Sequence, residues 1–273
     1  MPPSAPLSLT FDWTDLTGPE LAELAGRDPV VVFPLAAIEQ HGPHLPVSTD
    51  LVIARGILQE ARRSLPSDLP VLVLPEQAIG ASLEHAALPG TLSASADTLG
   101  RIIRETAGAL ARMGLRRLVL FNAHGGNKHV VDEAGLHARA EHSMLVVKAH
   151  SFRFPRPAGL ELPAVEWEHG LHGGAVETAM MLHLRPDLVR TDRIQSFTSL
   201  GEDLATRLAL VRPEGQVSFA WMAHDLNPHG VVGDAGLGTR ELGKTLVESY
   251  GAALAQVVRD ARAFPLDRLR PAP

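Results

Sequence analysis

Residues 30–50 read VVVFPLAAIEQHGPHLPVSTD, and the first six of them decide the fold. Val30–Leu35 is a near-continuous apolar run, the pattern of a parallel strand covered on both faces. The pattern recurs at Val71–Leu74 (VLVL), Leu118–Asn122 (LVLFN) and Leu145–Lys148 (LVVK). Between these runs the apolar period changes from that of a strand to that of a helix. Leu51, Ala54, Leu58, Ala61 and Leu65 follow Asp50 at helical spacing, as do Leu99, Ile102, Ile103, Thr106, Leu110 and Met113. A third helix is predicted from Lys128 to about Glu141. A long last one carries Leu242, Leu246, Tyr250, Ala253 and Val257. Such alternation predicts an α/β domain with a mainly parallel central sheet. Segments 78–96 and 152–172 break the alternation and read as binding loops or a lid. Neither a linker nor an internal repeat divides the chain, so a single domain over residues 1–273 is expected, frayed at 1–8 and 266–273.

Composition removes several classes of function. A chain of 273 residues can bury a substantial core, roughly 75% of its unfolded surface. Lys and Arg number 25 against 31 Asp and Glu, a net charge of −6 without a basic block, so no nucleic-acid partner is expected. No cysteine is present, which excludes disulfides, thiolate metal sites and thiol nucleophiles. Any metal must therefore be held by His, Asp and Glu. The longest apolar run, Val30–Ile38, falls short of the ~20 residues that span a bilayer. The first basic residue is Arg27, so no export signal and no membrane partner are expected, and the location is read as cytoplasmic.

The stretch Glu39-Gln40-His41-Gly42-Pro43-His44-Leu45-Pro46, closed by Asp50, directly follows the first strand. In extended backbone Glu39 and His41 project together, and a proline-stiffened turn lets Asp50 return to the same side. These donors suit Zn2+, Mn2+ or Fe2+. A bland alternative is a capped turn with Asp50 or Thr49 as the cap. His124-Gly125-Gly126-Asn127 stands where the LVLFN strand meets a helix, the edge at which open α/β sheets bind ligands. His172-Gly173-Gly174-Ala175-Val176-Glu177-Thr178 leads into an apolar helix, where Glu177 by itself reads as a complement to the helix dipole.

Together these clusters resemble the creatininase family, the creatinine amidohydrolase-like metal hydrolases. The resemblance rests on Pro34–Asp50, Asn122–Asn127 and His172–Thr178, with looser support from Glu84–Thr91 (EHAALPGT) and Gly230–Asp234 (GVVGD). It implies a three-layer α/β/α fold, a homo-oligomer that is often hexameric, and two divalent metal ions per subunit, Zn2+ first, with Mn2+ or Fe2+ as alternatives. By matching positions, Glu39, Asp50 and His124 would hold one ion, and His41, Asp50 and Glu177 the other, with Asp50 bridging. His172 matches the family's proton-shuttling histidine. The resemblance further implies that a hydroxide held between the ions attacks a non-peptide, possibly cyclic, amide C–N bond of a small molecule. Backbone N–H groups around Gly125–Asn127 would then steady the oxyanion. Alternatives on the same site are a formamide hydrolase, a peptidase acting on a cofactor precursor, and a non-catalytic scaffold or binding member. One departure stands out: creatinine-hydrolysing members carry a carboxylate where this chain has Gly126.

Other motifs are decoys. Gly238–Thr245 fits the P-loop pattern, but no strand leads into it and it belongs to the last helix. His137, Glu141 and His142 read as an exposed helix face, and His169 as part of the lid or support for the site. His44, Glu84 and His85 are placed in the pocket or in core and turn roles with equal weight. Arg153 and Arg156 are candidates for an anion clamp, with Trp167 in the same loop.

Overall fold

The Val-rich run at 30–35 forms the middle strand of a five-stranded sheet in the computed structural model, which describes residues 9–270. In chain order the elements are β1 (Thr10–Asp12), α1 (Gly18–Ala25), β2 (Val30–Leu35), α2 (Thr49–Ser64), β3 (Val71–Val73), α3 (Ala96–Arg112), β4 (Arg117–Asn122), α4 (Lys128–His142), β5 (Leu145–His150), α5 (Ala164–His169), α6 (Ala175–Leu184), β6 (Ser196–Phe197), α7 (Leu200–Arg207), α8 (Ala223–Leu226), β7 (Gly233–Asp234) and α9 (Arg240–Ala263). The main sheet is parallel throughout, in the order β1-β3-β2-β4-β5, and β6 and β7 form a small antiparallel pair.

Side-chain alternation builds the layers. Val31, Phe33, Leu118 and Leu120 pack toward α1, α3 and α4, whereas Val30, Val32, Val119 and Phe121 pack toward α2, α6 and α9. All of β2 and β4 is buried, which explains why these strands lack the polar alternation of a one-sided sheet. The three-layer α/β/α architecture is thus present. The fraying expected from residue 266 does not begin there. Leu266–Arg268 form a 3-10 turn, and Leu266 and Leu269 pack against the core. The expected fraying of 1–8 and of 271–273 lies outside the described residues.

Topology places the site. From β2 the chain moves through α2 to β3 on one side, then crosses through α3 to β4 on the other side of β2. The strand order therefore reverses between β2 and β4. At such a reversal the connections leaving the carboxyl ends diverge and leave a crevice. The loop holding Glu39 and His41 leaves β2 there, and His124 leaves β4. The P-loop lookalike has a packing role instead. Thr239 caps α9, and a Cβ at Gly243 would lie 1.8 Å from the Ala179 carbonyl oxygen, so Gly243 lets α9 touch the backbone of α6.

Candidate metal centre

Asp50 sits in the first turn of α2 and is almost fully buried. Ser48 is the helix cap and makes no side-chain cap bond, and Thr49 bonds back to the Pro46 carbonyl. The capping alternative for Asp50 therefore fails. Its two oxygens face different histidines: Oδ1 lies 3.3 Å from His41 Nε2, and Oδ2 lies 3.2 Å from His124 Nδ1. Glu39 Oε1 is 3.2 Å from His124 Nδ1, and Glu177 Oε2 is 3.7 Å from His41 Nε2. The five side chains thus lie close together, although only the first expected trio recurs as a compact set. Glu39, Asp50 and His124 form one compact set of potential ligand atoms. His41 and Glu177 form another, in which His172 is the third member, so His172 would be within reach of any ion held there.

Backbone carbonyls select the tautomer of each histidine. His41 Nδ1 lies 3.0 Å from the Glu39 carbonyl, and His124 Nε2 lies 3.0 Å from that of Ala81. A carbonyl can only accept, so those nitrogens carry a proton, and His41 Nε2 and His124 Nδ1 are the atoms left facing the carboxylates, free to offer lone pairs once the rings are neutral. His172 Nε2 likewise donates to the Gln40 carbonyl at 2.8 Å, leaving Nδ1 3.7 Å from Glu39 Oε1.

Electrostatics tests whether these residues suit a cation. Burial raises Glu177 to about 7, assisted by repulsion from Asp50 and Glu39. Burial would also depress His41, but Asp50, Glu177 and Glu39 overcome it and hold His41 up at about 10. His124 is raised well above its ordinary value in the same way, burial being outweighed by Glu39 and Asp50. Both oxygens of Glu39, Asp50 Oδ2 and His41 Nε2 are buried without a well-formed hydrogen bond. Two buried carboxylates with orphaned oxygens, Glu39 and Asp50, beside a third at Glu177, are costly unless positive charge joins them. The donor set therefore fits divalent cations.

Residues left open by the sequence now have positions. His85, read equally as a core or turn residue, belongs to the cluster: its ring lies 4.2 Å from that of His172, and Nε2 is 3.7 Å from Glu39 Oε1. Its place beside Glu84 in EHAALPGT was the available signal. Glu84 stands on the far edge of His124, with Oε1 3.7 Å from Nε2. His44 lies beneath the centre, where Nε2 meets the Gly173 carbonyl and Thr178 Oγ1 at 3.0 Å each. His169 is buried in α5, and His137 pairs with Glu133 and Glu141 on an exposed helix face. Arg156 lies over the Trp167 ring.

Gly126 has a physical reason. A Cβ there would come within 2.5 Å of Glu84 Oε1, the Ala81 carbonyl and His124 Nε2. No carboxylate can stand at 126 in this arrangement, which leaves Glu177 as the second acidic partner of His41 beside Asp50. The same contacts put the Gly125–Asn127 turn behind the His124 ring, on its Nε2 edge. Asn127 is a clasp, bonded to Ala36, Ala81 and Asn122. The expectation that this turn steadies an oxyanion is not supported by that placement.

Comparison with known proteins agrees with the geometry. Residues 14–258 match the creatininase family, described as creatinine amidohydrolase. A mycofactocin precursor peptide peptidase of Mycobacterium tuberculosis is 36% identical over 178 residues, covering 63% of this chain and 65% of that protein's length. A creatinine amidohydrolase of Pseudomonas putida is 30% identical over 188 residues, covering 63% of this chain and 71% of that one. A mutant Type II creatininase structure superposes with a TM-score of 0.75 at 26% identity, covering 94% and 99% of the two chains. Similar structures include a Zn-Zn type mutant creatininase, with a TM-score of 0.73 at 27% identity, and a creatininase titled as the Mn form, 0.73 at 26%; each covers 94% of this chain and 99% of its own. Since the family match spans nearly all of the sheet, the helices around it and every residue of the cluster, the chain belongs to the creatininase family of hydrolases.

Proposed function

We propose that this protein hydrolyses an amide C–N bond with two divalent cations, Zn2+ or Mn2+, held by Glu39, Asp50 and His124 and by His41, Asp50 and Glu177. The observation that carries this reading is the orientation of Asp50, one oxygen toward each histidine. Cations bound there lower the pKa of water toward 7, supplying a nucleophile, and polarise the carbonyl. The protein's own groups do the rest. Neutral His41 and His124 keep their lone pairs inward because carbonyls hold their other nitrogens. His172, kept neutral by burial, can take a proton from the attacking water at Nδ1 and pass it to the leaving nitrogen. Most of the cluster is buried, and the Glu177 and His172 side chains are its more open edge, so the substrate amide approaches from that side.

The motif resemblance led to a non-peptide amide, but the more identical of the two relatives described above is named a peptidase. That weights the substrate toward a peptide-derived amide. The carboxylate of creatinine-hydrolysing members is also missing here, at Gly126. We expect close to two equivalents of metal in the purified protein, and turnover of a peptide panel in preference to creatinine and formamides. Metal-free protein, or metal-loaded protein inert toward every amide, would favour the scaffold reading.

His172 separates shuttle from ligand. His172→Ala should retain both metals while kcat falls by about 100- to 10,000-fold, the usual contribution of a positioned acid or base. Metal loss in that variant would make it a ligand beside His41 and Glu177.

A further inference from the structure

We infer that Glu166 is a positioning residue for the His41–Glu177 half of the centre, acting through the turn that carries His172 and Glu177. This inference rests on the two-cation reading above. Glu166 lies in α5, is buried, and touches none of the proposed ligands. Oε1 accepts the N–H of Ala175, the first residue of α6, at 2.7 Å, and Oε2 accepts the N–H of Asp234 in β7 at 2.6 Å. No Lys or Arg pairs with it among the described residues. Its two oxygens are met by backbone amides from two separate segments, a pattern that fixes geometry.

Its surroundings leave room for little besides a carboxylate. Cβ atoms at Gly170, Gly174 and Gly233 would lie 2.3, 2.4 and 2.7 Å from Glu166 Oε1. Three glycines from two separate segments thus line one oxygen. What the carboxylate joins is the turn between α5 and α6, residues 170–174, and the segment 232–234 that contains β7. Val232 donates to the His172 carbonyl at 2.8 Å, and Gly173 donates to Glu177 Oε2 at 2.6 Å. Glu166 therefore sets where α6 begins, and so where Glu177 and His172 point. Glu39, Asp50 and His124 stand on the loop after β2, on α2 and at the end of β4, and need none of these bonds.

The test is a Zn2+ titration of the full chain against a chromophoric chelator. Glu166→Gln keeps the shape but offers only one acceptor oxygen for two N–H groups. Gly174→Ala keeps the Glu166 residue but pushes its carboxylate aside; the Gly174 dihedrals, φ −80° and ψ −160°, are open to alanine, and the other neighbours of its Cβ, the Val232 carbonyl oxygen at 3.1 Å and Gly170 Cα at 3.3 Å, need give only slightly. The wild-type chain should bind two ions. Each variant should bind one with unchanged affinity and the other about 10- to 100-fold more weakly, the usual cost of losing a group that orients a ligand. Two ions bound by the variants as in wild type, or both weakened equally, would overturn the inference. If Glu166→Gln does not fold, Gly174→Ala decides by the same criteria. Fewer than two ions on the wild-type chain would remove the two-cation reading itself, and the role of Glu166 with it.

Discussion

Asp50→Ala is expected to abolish turnover, because it is the one substitution that takes a ligand from both halves of the centre. Deleting a proton carrier costs about 100- to 10,000-fold; losing Asp50 should cost more, since both cations leave with it. The mechanism is visible in the distances: with Asp50 gone, the inward nitrogen of His41 keeps Glu177 as its carboxylate neighbour, and that of His124 keeps Glu39. The fold should survive. Asp50 makes no cap bond, and α2 is anchored by Leu51, Ile53, Ala54 and Ile57 on its buried face. Circular dichroism should therefore match wild type while metal analysis falls from two equivalents toward zero. Asp50→Asn leaves one oxygen and should hold no more than one ion. A wild-type metal content and rate in Asp50→Ala would refute the assignment of Asp50 as the shared ligand.

The second large effect is a reversal of pH dependence on metal loading. In the cation-free protein His41 titrates at about 10, above its ordinary 6.5, and His124 is displaced in the same direction. A base whose folded pKa is raised adds stability that is fully present below its unfolded pKa and is lost as pH rises through the folded one. Glu177, raised from its ordinary 4.5 to about 7, gives a loss of the same sign at lower pH, between those two values, because the unfolded chain gives up that proton first. Cation-free protein should therefore lose stability between about pH 6.5 and 10, by a few kcal/mol as an order of magnitude. Metal binding needs both histidines neutral, so loading releases about two protons and is favoured as pH rises. Loaded protein should accordingly be destabilised, and inactive, below about pH 6. Melting curves with and without excess Zn2+ across pH 5–10 test this directly. Parallel curves would mean that His41 and His124 are not ligands.

The parts of this molecule legible from sequence are those where one physical demand fixes residue type. Strands β2 and β4 are wrapped on both faces, so every position must be apolar and the runs stand out. The loop after β2 carries Glu39 and His41 two residues apart, and Asp50 follows one stiff turn later, so local geometry alone suggests convergence. What escaped notice depends on distant partners. Strand β1 is three half-buried residues at the sheet edge, and β6 and β7 are two residues each; none has enough period to read. His85 joins the cluster only because its segment folds back over β2, and Glu166 gains its surroundings from glycines up to 67 positions away. Gly126 could be seen to lack a carboxylate, but not that Glu84 fills the space.

A seam runs through this centre. Glu39, Asp50 and His124 belong to the sheet and the helix laid on it, whereas Glu177 and His172 hang from a glycine-rich bend tied to the loops above. Drift in those loops can reshape the entrance while leaving the Glu39, Asp50 and His124 floor untouched. One ancestral chassis can in this way serve chemically unlike amides, in keeping with kin of this chain that are named for a peptide in one case and for a small heterocycle in another.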